Sequence, residues 1–185
     1  MSKIGFAGFG EVNTPIDIII NKCTAARDAL TAEGLDLLPV FPITDDYEEK
    51  DIAHAIAVLK SEPIDALVLC IAGWIPTHAV VRVTDHYRQV PMVLWGLCGW
   101  MENGRIITTA EQAGTTALRP AFEALDYTFK YVYNIIDKPW PMEKITSFIA
   151  AACARHNLRS AKVGTMGYRD MLLYGTQYEG NSMRG

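Results

Sequence analysis

Residues 64–73, with the sequence IDALVLCIAG, are the stretch that decides the fold. Apart from Asp65, every residue in it is apolar or glycine, and polar and apolar residues do not alternate. A strand with one face in water shows such alternation, whereas a central strand of a parallel sheet is covered on both faces and is apolar throughout. The stretch therefore predicts a buried central strand of an α/β protein.

Segments with strand and helix character alternate on both sides of this stretch. Upstream, the predicted elements are a strand at residues 3–9, a helix at 15–33, a strand at 36–43 and a helix that Thr44 or Asp45 caps and that ends near 61. Downstream, they are a helix at 77–87, a strand at 91–97, a short strand or extended segment at 104–110, a helix at 111–125, a strand at 128–134 and a helix at 142–156. This order predicts an α/β fold with a doubly wound, mostly parallel sheet, a flavodoxin-like three-layer sandwich that binds ligands beyond the carboxyl ends of its strands.

The last segment of the chain differs from the rest. From Ser160, the sequence SAKVGTMGYRDMLLYG starts a new strand and turn, and the chain stops soon afterwards. We therefore predict an N-terminal α/β domain at residues 1–159 and the beginning of an incomplete second α/β domain at 160–185.

Composition and charge argue against several classes of protein. Half of the 185 residues are apolar and 21% are charged, as in ordinary globular proteins. A net charge of −4, without a Lys/Arg cluster, argues against nucleic acid as a partner. The longest apolar runs fall short of the roughly 20 residues that a membrane helix needs, and the glycine-rich start lacks the apolar core of a signal peptide. Because the four cysteines are widely spaced and form no Cys-x-x-Cys pair, we predict a cytoplasmic protein.

The glycines after the first strand suggest a dinucleotide loop, but the motif is incomplete. Gly8 and Gly10 are present, whereas the third glycine is missing. Glu11 follows instead, and its carboxylate would repel a phosphate at a place that must be electropositive. The sequence favours a plain tight turn, or a loop that hydrogen-bonds a neutral polyol through Glu11 and Asn13.

Trp74 is the strongest single candidate for ligand binding. It follows the central strand, and its indole offers a flat apolar face to sugar C–H groups together with one N–H donor. Packing at the sheet edge or at an interface is an equally good interpretation. Further along, an apolar wall or a subunit contact is predicted for four residues: Met92, Trp95, Trp100 and Met101.

The sequence contains no recognisable metal site and no catalytic set. All four histidines (His54, His78, His86 and His156) fall on predicted helices, and none has a second ligand four residues away with an acidic partner. No serine or cysteine lies in a nucleophile-elbow motif, and no carboxylate pair is placed for acid–base chemistry. Residue chemistry alone therefore indicates a binding domain.

Five segments carry a resemblance to a known family. They are KIGFAGFGEVNTP (3–15), DALVLCIAGWIPTHAVVRV (65–83), VPMVLWGL (90–97), GRIITTAEQAG (104–114) and RSAKVGTMGYRDMLLYG (159–175). Together they resemble the N-terminal part of the L-fucose isomerase and L-arabinose isomerase superfamily, over essentially the whole chain. The resemblance implies a substrate-recognition portion of an aldose–ketose isomerase of carbohydrate metabolism.

Members of that superfamily use a divalent cation, typically manganese, to polarise sugar oxygens while carboxylates move a proton through an enediol. Their metal ligands and catalytic residues lie further downstream than this chain extends. The resemblance therefore implies a portion of a longer protein that is inactive alone, holds no metal or other cofactor, and belongs to a homo-oligomer, either a trimer or a hexamer.

The resemblance also assigns sugar-binding residues by position. They are Glu11, Asn13, Trp74, Met166, Tyr168 and Arg169. Fucose isomerases have an arginine in the first loop, where this sequence has Glu11, so the choice of sugar does not carry over. Two other hypotheses stay open: a flavodoxin-like or periplasmic-binding-like module that binds a small ligand without catalysis, and an assembly domain that buries its tryptophans and methionines between subunits.

Overall fold

The computed structural model describes residues 2–162, and its main body is a five-stranded parallel sheet with the order β2-β1-β3-β4-β7. The strands are β1 (Lys3–Phe9), β2 (Asp36–Ile43), β3 (Ala66–Ile71), β4 (Met92–Cys98) and β7 (Phe129–Ile135). From β1 the chain moves outward to β2 and then crosses to β3 on the other side of β1. The topological switch point therefore lies between the carboxyl ends of β1 and β3.

Helices cover both faces of the sheet. Against one face lie α1 (Ile16–Ala32) and α5 (Met142–Ser160), and against the other lie α2 (Lys50–Leu59), α3 (Thr77–Thr84) and α4 (Glu111–Ala124). Every residue of β3 is buried because this strand is central and covered on both sides. The predicted doubly wound α/β sandwich is confirmed.

The predicted cap of α2 is wrong. Neither Thr44 nor Asp45 caps this helix; instead, the Asp46 carboxylate accepts the backbone N–H groups of Lys50, at 2.9 Å, and Asp51, at 3.2 Å. The helix begins later than predicted because Glu49 adopts a left-handed backbone, with φ of 52°. The Asp45 carboxylate is used elsewhere, and it reaches back to the loop after β1.

A small hairpin follows β4. It consists of β5 (Trp100–Glu102) and β6 (Arg105–Ile107), paired antiparallel. Asn103 and Gly104 form its turn with φ of 49° and 74°, the positive values that favour Asn-Gly in two-residue hairpins. For residues 104–110 the sequence predicted either a short strand or an extended segment. In the structure, 105–107 form a strand, and 108–110 lead into α4.

Two residues predicted as an apolar wall or subunit contact lie in the core instead. Met92 and Trp95 are fully buried on β4, and the Trp95 indole N–H donates to Asn134 Oδ1 at 2.8 Å. Only the hairpin residues Trp100 and Met101 reach the surface. The prediction is wrong for Met92 and Trp95 because β4 is covered on both faces. Among the described residues, no helix is long and apolar enough to cross a membrane.

Candidate functional site

Two loops meet at the switch point, one after β1 and one after β3. A Cβ atom added to Gly73 would lie 3.2 Å from Gly10 Cα and 2.6 Å from Thr14 Oγ1. The two loop backbones are therefore in direct contact, and only glycine fits at residue 73 without a shift of its neighbours. Thr14, which is buried, fills the remaining space.

The loop after β1 has used most of its backbone donors. The N–H of Gly10 donates to Ile43 O at 3.1 Å, that of Glu11 to Trp74 O at 2.6 Å and that of Thr14 to Glu11 O at 3.0 Å. The N–H of Val12 donates to Asp45 Oδ1 at 2.9 Å. A phosphate site needs several such N–H groups free and pointing at the ligand. This geometry argues against a nucleotide or flavin phosphate at the switch point, in agreement with the missing third glycine.

Trp74 lies on the loop after β3 with its backbone held on both sides. Its N–H donates to Thr109 Oγ1 at 3.1 Å, and its carbonyl accepts the Glu11 N–H. A Cβ added to Gly114 would lie 3.3 Å from Trp74 Cδ1, so the ring packs closely on α4 where α4 has no side chain. The residue is still 37% exposed. Trp74 is thus a fixed aromatic side chain that is partly open to solvent.

The structure brings three of the six predicted sugar-binding residues together. Glu11 and Asn13 lie in the turn of the β1 loop, and that turn is hydrogen-bonded to Trp74 through the Glu11 N–H. Asn13 is exposed and Glu11 is half-buried. The other three, Met166, Tyr168 and Arg169, lie outside the described residues.

A buried ion pair lies at the same edge of the sheet. The Lys22 ammonium, on α1, donates to Glu111 Oε1 at 2.6 Å, and Glu111 is completely buried at the start of α4. The other two donors of Lys22 reach the carbonyls of Ala72 and Leu97, both at 2.9 Å. With all three ammonium hydrogens used, Lys22 is not placed to act as a nucleophile toward a ligand.

The Glu111 carboxylate has further partners in the chain that leads into α4. It accepts the Thr108 hydroxyl and, at 3.3 Å, the Gly99 N–H. Thr108 Oγ1 in turn accepts the Ala110 N–H at 2.9 Å, and Ala110 has a left-handed φ of 63°. A left-handed alanine is strained, and the hydrogen bonds on both sides of it hold the turn in place.

Sequence reasoning missed both members of this pair. Lys22 lies three residues after Ile19 and four before Ala26, both of which are buried in α1. This spacing places it beside the buried face of the helix, where a lysine is unusual. That spacing was a usable signal. Glu111 gave none, because an acidic residue in the first turn of a helix is ordinary.

The buried cysteines have a structural role. Cys23 and Cys70 contact each other with their sulfur atoms 3.8 Å apart, and burial raises the pKa of the Cys70 thiol. A raised pKa disfavours the reactive thiolate. Cys23 and Cys70 therefore pack in the core as small hydrophobic side chains. Within residues 2–162, no three His, Cys, Asp or Glu side chains are grouped so that they could hold a metal ion.

No family model matches this sequence, and the search of curated proteins finds no match either.

Proposed function

We propose that this chain is the sugar-recognition part of an aldose–ketose isomerase, with Glu11, Asn13 and Trp74 facing the sugar. One observation carries the proposal: an aromatic side chain with a fixed backbone is partly exposed at the switch point, beside a polar turn. An indole can stack on sugar C–H groups, while a carboxylate and an amide bind hydroxyls. Switch points are where open α/β sheets bind ligands.

The chemistry of the described residues favours a neutral ligand over a phosphorylated one. The loop donors are used by protein acceptors, and the Glu11 and Asp45 carboxylates lie in or against the same loop. A sugar hydroxyl can donate to a carboxylate, whereas a phosphate is repelled by it. A polyol or free sugar therefore fits this surface better than a nucleotide does.

The proposal assigns binding and not catalysis to this chain. Among the described residues, Lys22 and Glu111 form the most buried ion pair, and their hydrogen-bonding groups are occupied by each other, by the Thr108 hydroxyl and by the backbone. We therefore place the catalytic carboxylates, and the manganese ion that the family resemblance implies, on a longer parent protein. A cytoplasmic location remains part of the proposal.

A second candidate function is assembly without catalysis, and one observation favours it. Large apolar side chains are exposed at the carboxyl edge of the sheet, on its loops, on the first turn of α1, on the hairpin and at the end of β7; they are Val12, Ile16, Tyr47, Trp74, Met101, Ile106 and Ile135. An apolar surface of this kind often contacts another protein. In this alternative, Trp74 would contact a second copy of the chain.

Titration of this chain with L-fucose, L-arabinose and their alditols, followed by NMR of the indole N–H groups, tests the first proposal. We expect the Trp74 signal to shift, and Trp74→Ala to weaken the affinity at least about tenfold because the main stacking surface is lost. Tyr47→Ala is the matched control, since Tyr47 is an aromatic residue fully exposed at the same edge. If no sugar or alditol shifts the Trp74 signal at saturating concentration, this chain does not recognise sugar.

A separate activity assay tests the parent reaction. We expect aldose–ketose isomerisation from the longer protein with manganese and no turnover from this chain under the same conditions. Turnover by the 185-residue chain itself would contradict the assignment of catalysis to residues outside it.

A further inference from the structure

Four segments of the chain converge on the Lys22–Glu111 pair. Lys22 comes from α1, the carbonyls of Ala72 and Leu97 lie at the ends of β3 and β4, and Glu111 starts α4. Glu111 also accepts the N–H of Gly99, just before the hairpin. One buried pair therefore fixes the relative positions of the elements that surround the switch point.

A short chain of hydrogen bonds leads from this pair to Trp74. The Glu111 carboxylate accepts the Thr108 hydroxyl, and Thr108 Oγ1 in turn accepts the Ala110 N–H. Thr109 lies between Thr108 and Ala110, and its Oγ1 accepts the Trp74 N–H. From the other side, Lys22 holds the Ala72 carbonyl two residues before Trp74. The Trp74 loop is thus anchored before and at the tryptophan by groups that depend on one ion pair.

The pair is better explained by positioning than by reactivity. A buried lysine can serve as a nucleophile only if its nitrogen is free to attack, and here every donor has a protein acceptor within 2.9 Å. A pair that served stability alone would need no link to the exposed loop, because buried apolar residues of similar size stabilise as well or better.

We propose that Lys22 and Glu111 are positioning residues for the Trp74 loop, with Thr109 as the link between the buried pair and the tryptophan. The inference rests on the proposed function only for what the loop binds. Its geometric content, which is that the pair holds Trp74 in one place, can be tested without a ligand.

Amide hydrogen exchange by NMR is the direct test. In Thr109→Val we expect the Trp74 N–H to exchange roughly three to ten times faster than in wild type, because it loses its acceptor. The Leu69 N–H in the buried centre of β3 should keep its rate. Thr116→Val is the matched control. It is the same substitution at an exposed residue of α4 whose hydroxyl contacts Tyr131 and not Trp74.

The double variant Lys22→Met with Glu111→Leu separates positioning from stability. It replaces the pair by apolar side chains of similar size, and the Leu69 N–H reports the stability that remains. We expect Trp74 and Glu11 N–H exchange to accelerate relative to that of Leu69. Equal changes at all three amides, or no change at Trp74, would show that the pair is only structural and would overturn the inference.

The same variants report on the ligand. If wild type binds a sugar, the double variant should bind it more weakly although Glu11, Asn13 and Trp74 are all present. If wild type binds none, the proposed function fails, while the exchange rates still decide whether Lys22 and Glu111 position the loop.

Discussion

At the scale of one residue, Thr14 shows how tightly the loops after β1 and β3 pack against each other at the switch point. Its side chain fills the gap between the loops after β1 and β3, and its hydroxyl is buried without a hydrogen-bond partner among the described residues. An unpaired buried hydroxyl has lost its water without replacement and therefore costs stability. Its volume is needed at this place, but its polarity is not.

Thr14→Val keeps the volume and removes the unpaired hydroxyl, so we expect it to raise the free energy of unfolding by about 1 kcal/mol. Urea unfolding measures the change. Thr115→Val is the control, because the Thr115 hydroxyl is also buried but donates to Glu111 O at 2.6 Å, and its loss should destabilise the protein. A lower stability of Thr14→Val would show that the hydroxyl has a partner after all.

Tyr87 carries a second buried hydroxyl without a partner in the described part of the chain, and burial raises its pKa above the ordinary value of 10.0. In the unfolded chain the phenol ionises at its ordinary pKa, before the folded one does. The contribution of Tyr87 to the free energy of unfolding is therefore constant below pH 10.0 and decreases as the pH rises above that value.

We expect Tyr87→Phe to be more stable than wild type at neutral pH, and the difference between the two to grow above pH 10.0. Unfolding midpoints measured across this range test the prediction. Tyr127→Phe is the comparison, since the Tyr127 hydroxyl is buried against Thr84 Oγ1 at 3.5 Å. A difference between Tyr87→Phe and wild type that shrinks with rising pH would contradict the assignment.

At the scale of elements, the sequence predicted what repeats locally and missed what joins distant segments. The unbroken apolar run of β3 and the apolar periods of the helices are local patterns, and they gave five strands and five helices close to their observed bounds, apart from the start of α2. The Lys22–Glu111 bond joins residues 89 apart, and no local pattern encodes it. The cap of α2 was missed because the left-handed Glu49 moves the start of the helix.

That ion pair gives a prediction about stability. Glu111→Ala leaves a buried ammonium without its carboxylate, so we expect a loss of about 3–5 kcal/mol in the free energy of unfolding. The double variant Lys22→Met with Glu111→Leu should recover much of the loss, although the carbonyls of Ala72 and Leu97 lose a donor. If the double variant is as unstable as Glu111→Ala, the two side chains act independently and the pair is not the unit of stability.

At the scale of the whole molecule, the candidate site and the exposed apolar side chains lie together at the carboxyl edge of the sheet. The carboxyl edge holds Trp74 and the Asn-Gly hairpin, and large apolar side chains are exposed on several of its loops. Fold class could be predicted from the sequence because it follows from the order of elements. Three of the candidate site residues could be placed together for the same reason, since each follows a strand and the strands are parallel.

The apolar carboxyl edge leads to a prediction about assembly that separates the two candidate functions. Ile106 is 57% exposed at the hairpin, and a charge there would disfavour any contact made through this edge. If the edge joins copies of the chain, Ile106→Glu should reduce association in sedimentation velocity, whereas Leu158→Glu should not, because Leu158 is 76% exposed near the end of α5, away from that edge. Equal effects of both substitutions would place the contact elsewhere. Association that is lost in Ile106→Glu together with unchanged sugar binding would mean that the edge serves assembly while the Trp74 loop serves recognition.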